Sequence, residues 1–183
     1  MTSLYLHICC APCSAYSVPA LQEEGFQVRG YYYNPNIHPF PEYLRRSEAL
    51  TIYQSDLGID VDYADDYRPE EYFAAVIDSL DERCRRCYEL RLRSTARRAR
   101  QHNCDAFSTT LLYSVYQQHD LLRRTGERIG EEEGIPFHYR DLRPGWQEGG
   151  RRYRASSLYR QNYCGCIFSE KERIEHKRKR KGK

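Results

Sequence analysis

Seven of the eight cysteines fall into three tight groups, and any fold this chain adopts must find a use for them. The groups are Cys9, Cys10 and Cys13; Cys84 and Cys87; and Cys164 and Cys166, with Cys104 standing alone. The opening residues M-T-S-L-Y-L-H-I-C-C lack the basic and apolar regions of an export signal. No apolar run approaches the roughly 18–20 residues a membrane helix needs, so a cytoplasmic location is expected. In that reducing compartment, clustered cysteines serve as metal ligands or redox centres more often than as disulfides. At 183 residues the chain is long enough for one domain whose core needs no disulfide staples.

The order of elements is the second constraint. Leu4 to Cys9 reads as a strand, Ser14 to Glu24 as a helix started or kinked by Pro19, and Phe26 to Tyr33 as an aromatic-rich strand. The Pro- and Asn-dense N-P-N-I-H-P-F-P that follows is a loop. A helix is predicted over Glu42 to Leu57, a weak strand over Asp60 to Tyr63, and a helix opening at Pro69. Cys84 to His102 is continuous helix former. Asp105 to Thr109 reads as a strand, Gln118 to Glu133 as a helix, and I-P-F-H-Y-R-D-L as a further strand. Alternation of this kind predicts a single α/β domain, a parallel sheet with helices on both faces, with its site beyond the carboxyl ends of the strands. Cys9 and Cys10, at the end of the first strand, would lie there.

The formal charge of +3 conceals an asymmetry, because residues 177–183 hold six basic residues and no acidic one. The domain is therefore expected over residues 1–176 with a basic tail over 177–183, read first as a solvated extension of the last helix. Arginines also gather over Arg83 to Arg100 and at Arg151, Arg152, Arg154 and Arg160. Arg85, Arg86, Arg93, Arg97 and Arg98 most simply form a solvated helix face, yet they stand close enough to the Cys84/Cys87 pair to contact phosphates near a site. No Walker loop or glycine-rich phosphate fingerprint follows the first strand, so ATP is not implied.

Cys84 and Cys87 are spaced i, i+3, which puts both thiols on one helix face. With Cys9 and Cys10 at a strand end they make four thiolates, enough for a tetrahedral zinc or a 4Fe–4S cluster. Cys164 and Cys166, flanking Gly165, could join Cys13 around a second metal with an open position, or act as a redox-active dithiol. The bland alternative for Cys9 and Cys10 is burial as small apolar residues, which is also the simplest reading of Cys104. His7 reads as a hydrogen-bonded core group and His38 as surface or site. The tyrosines at 31–33 and 153–163 read as core and rim, or as surfaces on which bases stack.

Five motifs in order, H-I-C-C-A-P-C-S, G-Y-Y-Y-N-P-N-I-H-P, R-C-R-R-C-Y-E-L-R-L, F-S-T-T-L-L-Y-S and L-Y-R-Q-N-Y-C-G-C, resemble the cobalamin-independent epoxyqueuosine reductases of the QueH type over about residues 4 to 169. The resemblance implies a fold related to the PP-loop and adenine nucleotide alpha hydrolase proteins (HUP-type). It also implies two-electron deoxygenation of epoxyqueuosine to queuosine at the tRNA wobble position, with electrons from a low-potential donor. Carried onto this sequence, it makes Cys9, Cys10, Cys84 and Cys87 the 4Fe–4S ligands. Cys164 and Cys166 become the adjacent redox pair or, with Cys13, the ligands of a mononuclear iron or other divalent metal. Asp141, Tyr163 and His7 are the candidate proton donors. One departure is S-V-Y-Q at Ser114 to Gln117, where proline would be expected after the serine. The competing readings are an iron–sulfur tRNA sulfurtransferase that uses ATP, and a non-catalytic, zinc-stabilised RNA-binding module.

Overall fold

The computed structural model describes residues 2–181. Four parallel strands form one sheet in the order β3-β2-β1-β4: β1 (Thr2–His7), β2 (Phe26–Tyr32), β3 (Val61–Tyr63) and β4 (Ala106–Thr109). The helices are α1 (Ala11–Glu23), α2 (Phe40–Leu57), α3 (Pro69–Val76), α4 (Arg83–Gln101), α5 (His119–Glu133), α6 (Trp146–Arg154) and α7 (Ile167–Lys181). The period-2 alternation of β1 decides which side each packs on. Leu4, Leu6 and Ile8 join Val18 and Leu21 of α1 and Leu50 and Leu57 of α2, whereas Tyr5 joins Leu92, Ala96 and Ala99 of α4 and Ile129 of α5. The sheet is thus covered on both faces, as the alternation of elements predicts.

Two local expectations change. The helix expected from Ser14 already starts at Ala11, so the A-P-C-S segment is the first turn of α1. Pro12 occupies a position where a missing N–H costs nothing, and Pro19 lies inside the helix. This makes Cys10 the N-cap, with extended backbone (φ −175°, ψ 160°). The segment expected as a further strand after α5 contributes a single parallel bridge, Phe107 to Phe137. Phe107 N–H donates to the Pro136 carbonyl and His138 N–H to the Phe107 carbonyl. Pro136 has no N–H with which to extend that ladder. The basic run continues α7 as an exposed helix through Arg180; residues 182 and 183 of the expected tail lie outside the described residues.

Candidate metal centre

Chain direction delivers the thiols to the carboxyl end of the sheet. β1 stops at His7, and the chain turns through Ile8, Cys9 and Cys10 directly into α1, so Cys13 returns one helical turn later. The Sγ atoms of Cys9, Cys10 and Cys13 all lie within 4.8 Å of one another, with Cys9 and Cys10 at 3.6 Å. Thiolates about 2.3 Å from one tetrahedral metal stand about 3.8 Å apart, so this spacing suits a single ion. The helix N-terminus adds its positive end to the same spot.

The triad is electrostatically unequal. Cys9 is held well below the ordinary thiol range, first by hydrogen bonds from Cys10 and Cys13, while Thr110 also donates from Oγ1 at 3.3 Å. Cys10 is pushed up, chiefly by burial, and Cys13 chiefly by its bonds to the other two. A metal entering here would displace the protons these three hydrogen-bonded sulfurs share. Gln161 Nε2 lies 2.6 Å from the Cys10 Sγ, and its Oε1 is buried without a partner.

A second group forms beside the first. Cys84 and Cys87 at the start of α4 lie near Cys164 and Cys166, close enough that the charge of those two adds to burial in raising both α4 thiols, while Cys164 senses Cys166 and Cys9. Cys166 packs on the patch made by Cys87, Tyr72 and Val76. Gln117 Nε2 approaches the Cys164 Sγ at 3.5 Å. Gly165 (φ +143°) makes this return possible: a Cβ there would stand 3.1 Å from both Asn36 Nδ2 and Ile37 Cγ1. Its carbonyl accepts the His38 N–H at 2.8 Å. Arg46, only 2% exposed and paired with Glu42 at 2.7 Å, donates to the carbonyls of Tyr163 and Cys164 and fixes the loop. Burial pushes the Cys87 thiol up to about 12, so it ionises only when something binds it.

Arg91 joins the two groups. It is 1% exposed, its side chain donates from Nε to the Cys87 carbonyl at 3.3 Å, and its Nη2 is buried with no partner. The charges it faces are Cys87, Cys164 and Cys9. A buried guanidinium without a carboxylate calls for another anion. Thiolates holding an iron–sulfur cluster or a metal are such an anion, so the donor set and the orphaned cation fit the implied groups.

The structure brings Cys13 together with Cys9 and Cys10 and sets Cys84 and Cys87 near Cys164 and Cys166; Cys164 in turn senses Cys9, and Cys84 packs on the cluster that contains Cys10 and Cys13. His7 is fully buried, bonded to Thr109 Oγ1 (2.9 Å), the Tyr33 carbonyl and Asn34 Oδ1 (both 3.2 Å), and lowered to about 4 by burial and by Arg91. His38 is buried and stacks on Phe73. Tyr163 donates to the His38 carbonyl, and burial lifts its phenol to about 12. Asp141 is engaged by Arg143 through both oxygens (2.8 and 2.7 Å), which holds it at about 2, and a thiol is not among its partners. The α4 arginines are divided: Arg93 pairs with Glu132 and Glu133 of α5 and Arg97 with Glu133, whereas Arg85 pairs with Glu82 and Glu89, Arg86 with Glu89, and Arg98 lies over the Tyr31 ring. Arg91, Thr110, Gln117 and Gln161 carry no role in the sequence reading. Arg91 could have been found, since it lies four residues after Cys87 and seven after Cys84 on the same helix face.

The chain matches the family model described as "Epoxyqueuosine reductase QueH" over residues 4–172. It is 42% identical over 171 residues to the epoxyqueuosine reductase QueH of Dehalococcoides mccartyi, covering 93% of this chain and 94% of that one. To the QueH of Thermotoga maritima it is 36% identical over 185 residues, covering 96% and 94%. Among solved structures, a predicted subunit of a tRNA methyltransferase from Methanocaldococcus jannaschii superposes with a TM-score of 0.57 at 12% identity. That match covers 87% of this chain and 77% of the other, and is a likeness of fold alone.

Proposed function

The chain belongs to the QueH family of epoxyqueuosine reductases, and from that premise we propose how its thiols divide the work. The reaction reduces epoxyqueuosine to queuosine in tRNA: two electrons and two protons enter, the epoxide oxygen leaves as water, and an alkene remains. In our reading the substrate is the wobble nucleotide. Cys84, Cys87, Cys164 and Cys166 hold a 4Fe–4S cluster, while Cys9, Cys10 and Cys13 hold one further iron or divalent metal with a position left open. The tight triad supports this division, since its spacing suits one ion, whereas a cluster spreads its thiolates over separate irons.

When bound, such centres supply electrons singly and a Lewis acid for the epoxide oxygen. The chain's own part is preparation. Arg91 balances the negative charge between the two groups, and Thr110 and Gln161 place donors on Cys9 and Cys10. Neutral His7 holds the Tyr33–Asn34 strand end against Thr109. We give Asp141 no part in proton delivery, because at neutral pH Arg143 keeps it ionised with no proton to donate.

Among the described residues no helix is long and apolar enough to cross a membrane. We place the enzyme in the cytoplasm, where eight free thiols stay reduced, with a low-potential electron donor and no need of ATP. The observation that carries this reading is a buried guanidinium, Arg91, that faces Cys9 of one thiol group and Cys87 and Cys164 of the other, with its Nη2 buried and without a hydrogen-bond partner. Iron and sulfide analysis of anaerobically loaded protein tests it. A colourless protein with one zinc and no sulfide would instead support the zinc-stabilised RNA-binding module.

A further inference from the structure

The loop between β4 and α5 displays a ring that the core does not use. Tyr116 is 81% exposed, with Val115 beside it 47% exposed. Its ring stands edge-on to Trp146, with centroids 5.5 Å apart and planes at 84°. Trp146 lies 5.0 Å from the buried Tyr113, whose hydroxyl donates to the Trp146 carbonyl at 2.9 Å. Tyr113 in turn packs in the cluster that contains Cys10 and Cys13. The next residue along the loop, Gln117, approaches the Cys164 Sγ and accepts the Tyr88 hydroxyl at 2.8 Å. Tyr116 is thus one residue from a side chain at the second thiol group, and two rings from the first.

The loop is held in place. Ser114 Oγ accepts the Tyr116 N–H at 3.3 Å, and the Ser114 backbone (φ −80°, ψ 125°) has the extended form that a proline at 115 would also require. The helix that Trp146 opens, α6, carries Arg151, Arg152 and Arg154, all exposed, with Arg152 paired to Glu148, and so offers cations to a phosphate backbone.

A base drawn out of a loop leaves its neighbour's face bare to water, and an aromatic side chain can cover that face. We propose that Tyr116, backed by Trp146, is the platform on which an anticodon-loop base adjoining the wobble nucleotide stacks, and so a positioning residue for the reaction. The inference rests on the epoxyqueuosine reductase reading above. Trp146 is the one tryptophan in the chain, so its fluorescence reports directly on the platform.

The test uses iron-loaded protein and an anticodon stem-loop RNA carrying epoxyqueuosine, with abasic sites placed in turn on either side of the wobble nucleotide. Binding should quench Trp146. Tyr116→Ala should raise Kd and KM by about fivefold or more, the effect of losing one base–aromatic stack, with kcat within about twofold. Tyr116→Phe should bind within about twofold of wild type, and one of the abasic RNAs should bind wild type and Tyr116→Ala alike. Undiminished binding by Tyr116→Ala, a Phe variant as weak as the Ala variant, or loss of iron from either would overturn the proposal. Wild-type protein with no affinity for the epoxyqueuosine RNA would count against the functional reading itself.

Discussion

Replacing Cys13 and Cys87 singly by alanine should separate the two thiol groups by stoichiometry. If the quartet binds a four-iron cluster and the triad one ion, fully loaded wild type holds about five irons and about four sulfides. Cys87→Ala removes a ligand on α4 where burial has already raised the thiol to about 12. Its loss leaves three of the four cluster thiolates, Cys84, Cys164 and Cys166, so about four irons and the brown absorbance should go together, with some stability, since metal binding adds to folding free energy. Cys13→Ala removes a sulfur within 4.8 Å of Cys9 and Cys10. That variant should keep about four irons, its sulfide and its colour, yet lose the fifth metal and turnover. Anaerobic reconstitution followed by iron, zinc and sulfide analysis reads both. If Cys13→Ala sheds the cluster while Cys87→Ala retains it, the division of labour is refuted.

Arg91→Met deletes the cation that faces Cys9, Cys87 and Cys164; removing one partner from a buried charge set costs about 3–5 kcal/mol, so iron should pass to a chelator much faster, and unchanged retention would count against the charge argument. In Gly149→Ala the new Cβ would stand 2.6 Å from Tyr113 Oη and 2.8 Å from Tyr16 Cβ. Overpacking of about 1–3 kcal/mol should lower the melting midpoint by roughly 2–12 °C, and an unaltered melt would mean α6 is free to move off α1. Because Arg143 depresses Asp141, the ionised carboxylate contributes stability above the ordinary value of 3.8, and loses it as pH falls toward about 2. Urea unfolding of wild type and Asp141→Asn should therefore converge across that window, with neutral-pH turnover the same in both; a fall in turnover would return Asp141 to the proton path.

The sheet was legible because its strands obey simple patterns. β1 alternates Leu4 and Leu6 against Tyr5, and the 19 residues of α4 run without a breaker. The start of α1 was harder to read, since two prolines in nine residues look like punctuation, and only the cap position of Cys10 explains why Pro12 is welcome. The thiol grouping was hidden for a different reason. Spacing reveals which cysteines are neighbours in the chain, but the meeting of Cys164 and Cys166 with Cys84 and Cys87 depends on a loop tied down by Arg46, Tyr163 and Gly165, more than a hundred residues from its partners in part. Arg91 looked like one more cation on a basic helix, because burial is not written in a residue's own identity.

The most direct test of the account is single-enzyme turnover. Anaerobically loaded protein is incubated with tRNA carrying epoxyqueuosine and a low-potential reductant, without ATP, and the digested nucleosides are analysed by mass spectrometry. The account predicts loss of epoxyqueuosine with matching gain of queuosine, one oxygen lighter, in wild type and not in Cys13→Ala. A fully iron-loaded wild type that leaves epoxyqueuosine intact, or that acts only when ATP is added, would contradict it.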